Sequence, residues 1–176
     1  MGQAKLRRES GAKVTPCRNC TLCCELPKIA ELDKPLYHAC RFKGATGCTI
    51  HGDPSRPEVC RAFECRYVQV NRPDAAPQHV RVPHPSDAGA YFFEVAGTKD
   101  FLLHVDPKRP EVWKRSSIPA YLRPYFEKGF VVTVVDRGYR FAFSVASAWD
   151  QYLGVDMVEI ARQNGRGIVD ESYATA

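Results

Sequence analysis

Eight cysteines, all lying between Cys17 and Cys65, are the residues of this 176-residue chain whose type and spacing could do chemistry. The first four, Cys17, Cys20, Cys23 and Cys24, read C-x2-C-x2-C-C, and Cys40, Cys48, Cys60 and Cys65 follow. Two residues between cysteines let a tight turn present both sulfurs to one ion, or to neighbouring irons of a cluster. The adjacent pair Cys23-Cys24 is informative because neighbouring side chains diverge by roughly 100° in a helix and by nearly 180° in a strand. Such a pair resists sharing one mononuclear ion. Either the two serve different centres, or one bridges, or one is a free reactive thiol. Eight sulfurs divide naturally into two four-sulfur sites, but the spacing leaves the pairing open.

A disulfide framework would need an oxidising compartment. Lys5, Arg7, Arg8 and Lys13 are followed by Arg18, Asn19 and the cysteines rather than by the apolar run of a signal peptide. Gly2 is not followed by the Ser or Thr of a myristoylation signal, since position six is Leu. The most apolar stretch, Phe130 to Val135, stops at Asp136 and Arg137, far short of the roughly 20 residues that span a bilayer. A cytoplasmic location with no membrane partner is therefore expected, and in a reducing compartment a dense cysteine cluster points to metal. Iron–sulfur and zinc both suit thiolates. The bacterial ferredoxin run continues x3-C-P, whereas here Cys24 follows at once, and a zinc ribbon wants a second C-x2-C that the later spacings lack. The C-x3-C-x2-C of radical enzymes is absent too. The vicinal pair and the missing second knuckle favour an iron–sulfur cluster over Zn2+.

The net charge of +5 hints at a polyanion partner, but the excess lies in the N-terminal tail and around the cysteines. Metal-bound cysteines are thiolates, so much of this basicity compensates sulfur charge, and nucleic acid is not an expected partner. Arg56 and Arg61 are the candidates for donating hydrogen bonds to sulfur from outside the coordination sphere. His51 follows Cys48 by three residues and could ligate, while His38, His79, His84 and His104 are scattered and read as structural.

The elements that must position these groups fall into unlike halves. Residues 1–13 read as a flexible basic tail. Residues 14–72 form a cysteine-cluster module whose apolar residues follow no sustained period and whose core is too sparse to fold by burial alone, so metal must help hold it. Within it, Pro57 to about Tyr67 is expected as a short helix, on which Cys60 would point away from Cys65 unless the turn between them unwinds. Residues 73–176 form an α+β unit packed on that module, after a proline-rich seam at Asn71 to Asp87. Tyr91–Val95 and Phe101–Val105 read as paired strands, Pro119–Lys128 as a helix kinked or delayed by Pro124, and Phe130–Val135 with Tyr139–Ser144 as a hairpin. A last helix is expected from Asp156 to Gln163. The aromatics of this half read as core. The fold class is α+β: an irregular cysteine-rich metal-binding module, then antiparallel hairpins with two or three helices.

The motifs together resemble the YkgJ-type cysteine-cluster family, described as zinc- or iron-chelating, in which C-x2-C-x2-C-C is joined to C-x-I-Y and R-P-x-x-C-R-x-F-x-C. Here these read Cys17 to Cys24, then Cys48-Thr49-Ile50-His51, then Arg56-Pro57-Glu58-Val59-Cys60-Arg61-Ala62-Phe63-Glu64-Cys65, with Cys40 where the family places another. His51 departs from the family tyrosine. The resemblance covers about residues 14 to 67 and implies metal binding by the eight cysteines. Some relatives, such as flagellin lysine methylases, attach the motif to an enzyme, but no methyl-donor loop is visible here and the resemblance assigns no reaction. The expected function is a metal-binding cysteine-cluster protein with a redox or accessory role. The alternative is a non-catalytic, zinc-scaffolded module that binds a protein or nucleic-acid partner.

Overall fold

The computed structural model describes residues 19–166 apart from Pro73. Cys17, the tail over residues 1–13 and residues 167–176 lie outside the described residues. The chain begins with α1 (Leu22–Glu25), a 3-10 turn at Ala30–Leu32, and a minimal hairpin of β1 (Lys43–Gly44) and β2 (Gly47–Cys48). Two short helices follow, α2 (Glu58–Ala62) and α3 (Arg66–Val70), then α4 (Pro85–Ala88), which opens on proline and closes on left-handed Gly89. The expected single helix from Pro57 to Tyr67 is thus two. Phe63 and Cys65 are extended, with ψ of 130° and 158°, so Cys60 lies on α2 and Cys65 just before α3.

Four strands form the main sheet: β3 (Ala90–Glu94), β4 (Asp100–Val105), β5 (Val131–Asp136) and β6 (Tyr139–Phe143), in that spatial order. Both outer pairs are antiparallel hairpins, as the sequence predicts, and the second turns at Arg137-Gly138 with φ of 48° and 85°, the left-handed pair that a two-residue hairpin needs. The central pairing of β4 with β5 is parallel, which no short-range signal announces. Parallel neighbours require a crossover. It is supplied by a 3-10 turn at Trp113–Arg115, α5 (Ile118–Leu122) and a 3-10 helix at Arg123–Lys128 that ends on left-handed Gly129. The expected helix over 119–128 is present but tightens to 3-10 at Arg123-Pro124, where proline removes an amide donor. After β6, α6 (Ala146–Leu153) was not expected, and α7 (Met157–Gln163) starts where Asp156 accepts from the Val158 and Glu159 amides.

Strand alternation separates the sheet's faces. Phe92, Phe101, Leu103, Val132, Val134 and Phe143 point to one side, where the crossover and α6 bury them with Trp113, Tyr121, Leu122 and Trp149. Burying each such side chain contributes about 1.5–3 kcal/mol, so this face dominates the packing energy. Tyr91, Phe93 and His104 point to the other, where Leu22, Leu26, Phe63 and Val68 cover the two strand-β3 aromatics. The N-terminal segment therefore roofs the second face of the sheet, and α3 straddles the free edge of β3. The fold is α+β. Among the described residues, no helix is long and apolar enough to cross a membrane.

Candidate metal centre

Seven cysteines are described, and their positions follow from the short elements that carry them. Cys23 and Cys24 sit on α1, whose Cys24 amide donates to the Thr21 carbonyl at 2.8 Å. The Cys40 amide donates to the Cys24 carbonyl at 2.8 Å, which brings the buried Cys40 alongside α1. Three residues later the β1–β2 hairpin places Lys43 opposite Cys48. Cys60 rides on α2, whose Val59 amide reaches the Glu31 carboxylate at 3.4 Å.

Charge relations show which sulfurs are neighbours. Cys48 is pushed up mainly by burial and also by negative charge on Cys24 and Cys40, against the pull of Arg56. Cys60 is pushed up by burial, then pulled down by Arg56 and raised by Cys24, Cys40 and Cys48. Cys24 is lowered to about 7, chiefly by a hydrogen bond from Cys23, with Arg56 and Lys34 helping against burial. Cys24, Cys40, Cys48 and Cys60 thus share one neighbourhood with two cations.

Cys23, hydrogen-bonded to Cys24, also lies with Cys20 and Cys65. Cys20 and Cys23 pack with the buried Cys65 against Leu22, Leu26, Val68 and Tyr91. A hollow of about 20 Å³, room for one water or one ion, is lined by Cys20, Cys23, Cys65, Tyr67, Pro85 and Tyr91. Tyr91 is fully enclosed, and burial followed by the charges of Cys23, Cys65, Cys24 and Cys20 pushes its phenol well above the usual range.

Arg56, an expected donor, acts by charge on Cys24, Cys48 and Cys60, and its buried Nε has no hydrogen-bond partner among the described residues. Arg61, the other expected donor, points elsewhere: it pairs with the Glu58 carboxylate and donates to the Pro54 carbonyl at 3.2 Å on the exposed face. A sequence reading missed Lys34. It is 5% exposed, its Nζ donates to the carbonyls of Glu25, Pro27 and Pro35, and its charge acts on Cys40, Cys24, Cys23 and Cys60. No local pattern marks it, because the carbonyls that hold it are gathered by the fold of a loop. His51 is exposed in the turn after Cys48, with its amide on the Cys48 carbonyl at 3.2 Å.

Among the described residues, no three His, Cys, Asp or Glu side chains stand in a ready coordinating arrangement. The site fits a metal in its donor chemistry: soft sulfur ligands, two nearby cations and an orphaned guanidinium N–H. Comparison with protein-family models, curated proteins and solved structures finds no match to this chain.

Proposed function

We propose that this is a metal-binding cysteine-cluster protein, holding iron–sulfur or zinc on cysteine thiolates in a reducing compartment, with a redox or accessory role. The observation that carries the reading is that Cys24, Cys40, Cys48 and Cys60 come from α1, a loop, a hairpin and α2, that the Cys40 amide donates to the Cys24 carbonyl, and that Arg56, whose buried Nε has no partner among the described residues, acts by charge on Cys24, Cys48 and Cys60. Sulfurs from separate elements do not assemble beside two cations through packing alone, since thiols of that number are ordinarily dispersed through a core as small apolar groups. Four thiolates on a divalent ion, or on a doubly positive cluster, leave two negative charges in excess, and Arg56 with Lys34 offset them. When bound, such a metal supplies either a thiolate-held redox centre or a structural anchor. The resemblance to the YkgJ-type family rests on the cysteine motifs and agrees with this reading.

The test is anaerobic purification of the full chain, with iron, zinc and acid-labile sulfide measured per chain beside a visible spectrum. Iron with matching sulfide and thiolate-to-iron absorption assigns a cluster and a redox role. Zinc without colour assigns a structural or accessory one. A chain that carries no metal, and takes up neither zinc nor iron on reconstitution, overturns the reading.

A further inference from the structure

The last cysteine stands where the chain passes around the free edge of the sheet, since β3 is an outer strand. On the face that bears Tyr91 and Phe93, the Phe63 ring packs edge-on against both, with centroids 5.7 and 5.0 Å away. On the opposite face, where Phe101 and Tyr121 are buried with Phe92, Arg66 reaches the crossover. Its Nε donates to the Tyr121 hydroxyl at 2.7 Å and its Nη2 to the Tyr125 hydroxyl at 3.2 Å, and the guanidinium lies over the Phe101 and Tyr121 rings. Its Nη1 donates to the Gln69 side chain at 3.2 Å and pairs with Glu94 of β3 at 3.7 Å. Tyr121 is held in turn by donating to Gln78 at 3.0 Å and by the His79 ring stacked on it. Cys65 lies between the two anchors. It is buried, and its carbonyl accepts from the Gln69 amide at 3.2 Å, while the Glu64 carbonyl accepts from the Gln69 side chain at 3.3 Å.

Resting on the metal-binding reading above, we infer that Arg66 is a positioning residue for Cys65, fixing the backbone of that ligand against the crossover before any metal arrives. None of the contacts that Arg66 makes through its guanidinium involves a sulfur; they go to two phenols, an amide oxygen and a carboxylate. It acts on Cys65 through the peptide bond the two residues share. A ligand already ordered by folding loses less freedom on binding, which raises affinity without adding a bond to the metal. The role needs a planar fork. Tyr121 and Tyr125 stand four residues apart in the crossover, and Nε and Nη2 meet one hydroxyl each, a geometry that the single ammonium of lysine does not reproduce. Phe63 secures the other side of Cys65 by apolar contact alone, so the polar half of the clamp rests on Arg66.

The experiment compares three full chains, kept anaerobic and freed of metal: wild type, Arg66→Lys, and the double variant Tyr121→Phe with Tyr125→Phe. Near-ultraviolet circular dichroism of the aromatic core first verifies that each is folded. Alkylation then gives a labelling rate for every thiol, read peptide by peptide, and chelator competition gives the Zn2+ affinity. In Arg66→Lys, Cys65 should label about 10-fold faster than in wild type, with Cys48 and Cys60 changed by less than about 2-fold. Zn2+ affinity should fall about 10-fold in the same variant. The double variant, whose charge is unaltered, should do likewise. Arg66→Lys that labels like wild type at Cys65 overturns the proposal, because charge alone then suffices. An equal rise at every thiol overturns it too, as the mark of an anchor for the whole fold, and so does faster labelling of Cys65 with unchanged Zn2+ affinity. If Arg66→Lys does not fold, the double variant, which retains Arg66, decides by the same outcomes. A wild-type chain that takes up neither zinc nor iron overturns the metal-binding reading together with this one, whereas wild-type uptake with an unaltered Cys65 in the variants overturns this one alone.

Discussion

Arg56 and Arg61 are five residues apart in one motif, yet they have opposite surroundings. Arg56 keeps a buried Nε without an acceptor, and Arg61 spends its guanidinium on Glu58 and the Pro54 carbonyl in solvent. Replacing a donor that supports metal ligands typically costs 10- to 100-fold in metal affinity. Arg56→Met should therefore weaken metal retention about 10- to 100-fold in chelator competition, while Arg61→Ala leaves it unchanged. Equal losses in the two variants would show that Arg56 acts only through net charge. His104 makes a second residue-scale prediction. It is 4% exposed, its Nδ1 has no partner among the described residues, and Tyr91 stacks on it at 5.2 Å. Burial, with the charges of Arg140 and Lys34, depresses its pKa to about 3. The folded state therefore excludes a proton that the unfolded chain binds below about 6.5. Stability is then complete above pH 6.5 and falls as pH drops toward 3, by about 1.4 kcal/mol per pH unit. Urea unfolding of His104→Gln beside wild type should show this slope missing from the variant between pH 6 and 4, since protonation of the cysteines is common to both proteins.

At the scale of elements, the turn between β5 and β6 is tied to the start of α7 by one carboxylate. Asp156 accepts from the Val158 and Glu159 amides, and it receives the Arg137 guanidinium at 2.7 Å. Arg137 also bridges to Asp136, whose carboxyl burial pushes up. An N-cap is worth about 1 kcal/mol, and a partly exposed ion pair adds less than that. Asp156→Ala should thus lower unfolding free energy by about 1–2 kcal/mol in urea titration, and Asp156→Asn, which retains a capping oxygen, by less than half as much. Equal losses would mean that the ion pair, not the cap, holds α7. The cysteine-bearing elements contrast with this one. α1, α2 and α3 run four or five residues each and show no side-chain cap, too short to hold themselves in water. Their order comes from what they pack on.

Across the whole molecule, the sheet is covered on one face by a large aromatic core and on the other by the cysteine segment. Besides the apolar packing on Tyr91 and Phe93, long-range hydrogen bonds join the segment to the rest of the molecule. The Gly138 amide donates to the Tyr37 hydroxyl at 3.1 Å, and Arg66 donates to the Tyr121 and Tyr125 hydroxyls at 2.7 and 3.2 Å. Chelation of the loaded protein should therefore loosen residues 20–70 first. Hydrogen exchange there should rise by at least 10-fold while amides of β4 and β5, enclosed by the larger core, stay protected. Uniform loss of protection would show that the two layers fold as one cooperative unit and that the sheet cannot stand without its roof.

The outer hairpins, the helix stop at Gly129, a last helix beginning at Asp156 and the aromatic core were all legible in the chain. Each depends on residues within about ten positions of one another: an alternating apolar run, a glycine able to take positive φ, a carboxylate next to free amides. The cysteine types and the C-x2-C spacing likewise announced sulfur chemistry at short range. What they left open was decided at long range. The parallel β4–β5 pairing depends on a crossover whose ends are 26 residues apart, from Val105 to Val131. The expected helix from Pro57 to Tyr67 breaks at Phe63, whose ring packs edge-on against Tyr91 and Phe93 of the sheet. Lys34 became part of the site only when a loop folded three carbonyls around its ammonium group. Local propensity acts through neighbours along the chain. The sorting of sulfurs into neighbourhoods is set by which apolar surfaces find cover, and only the tertiary structure decides that.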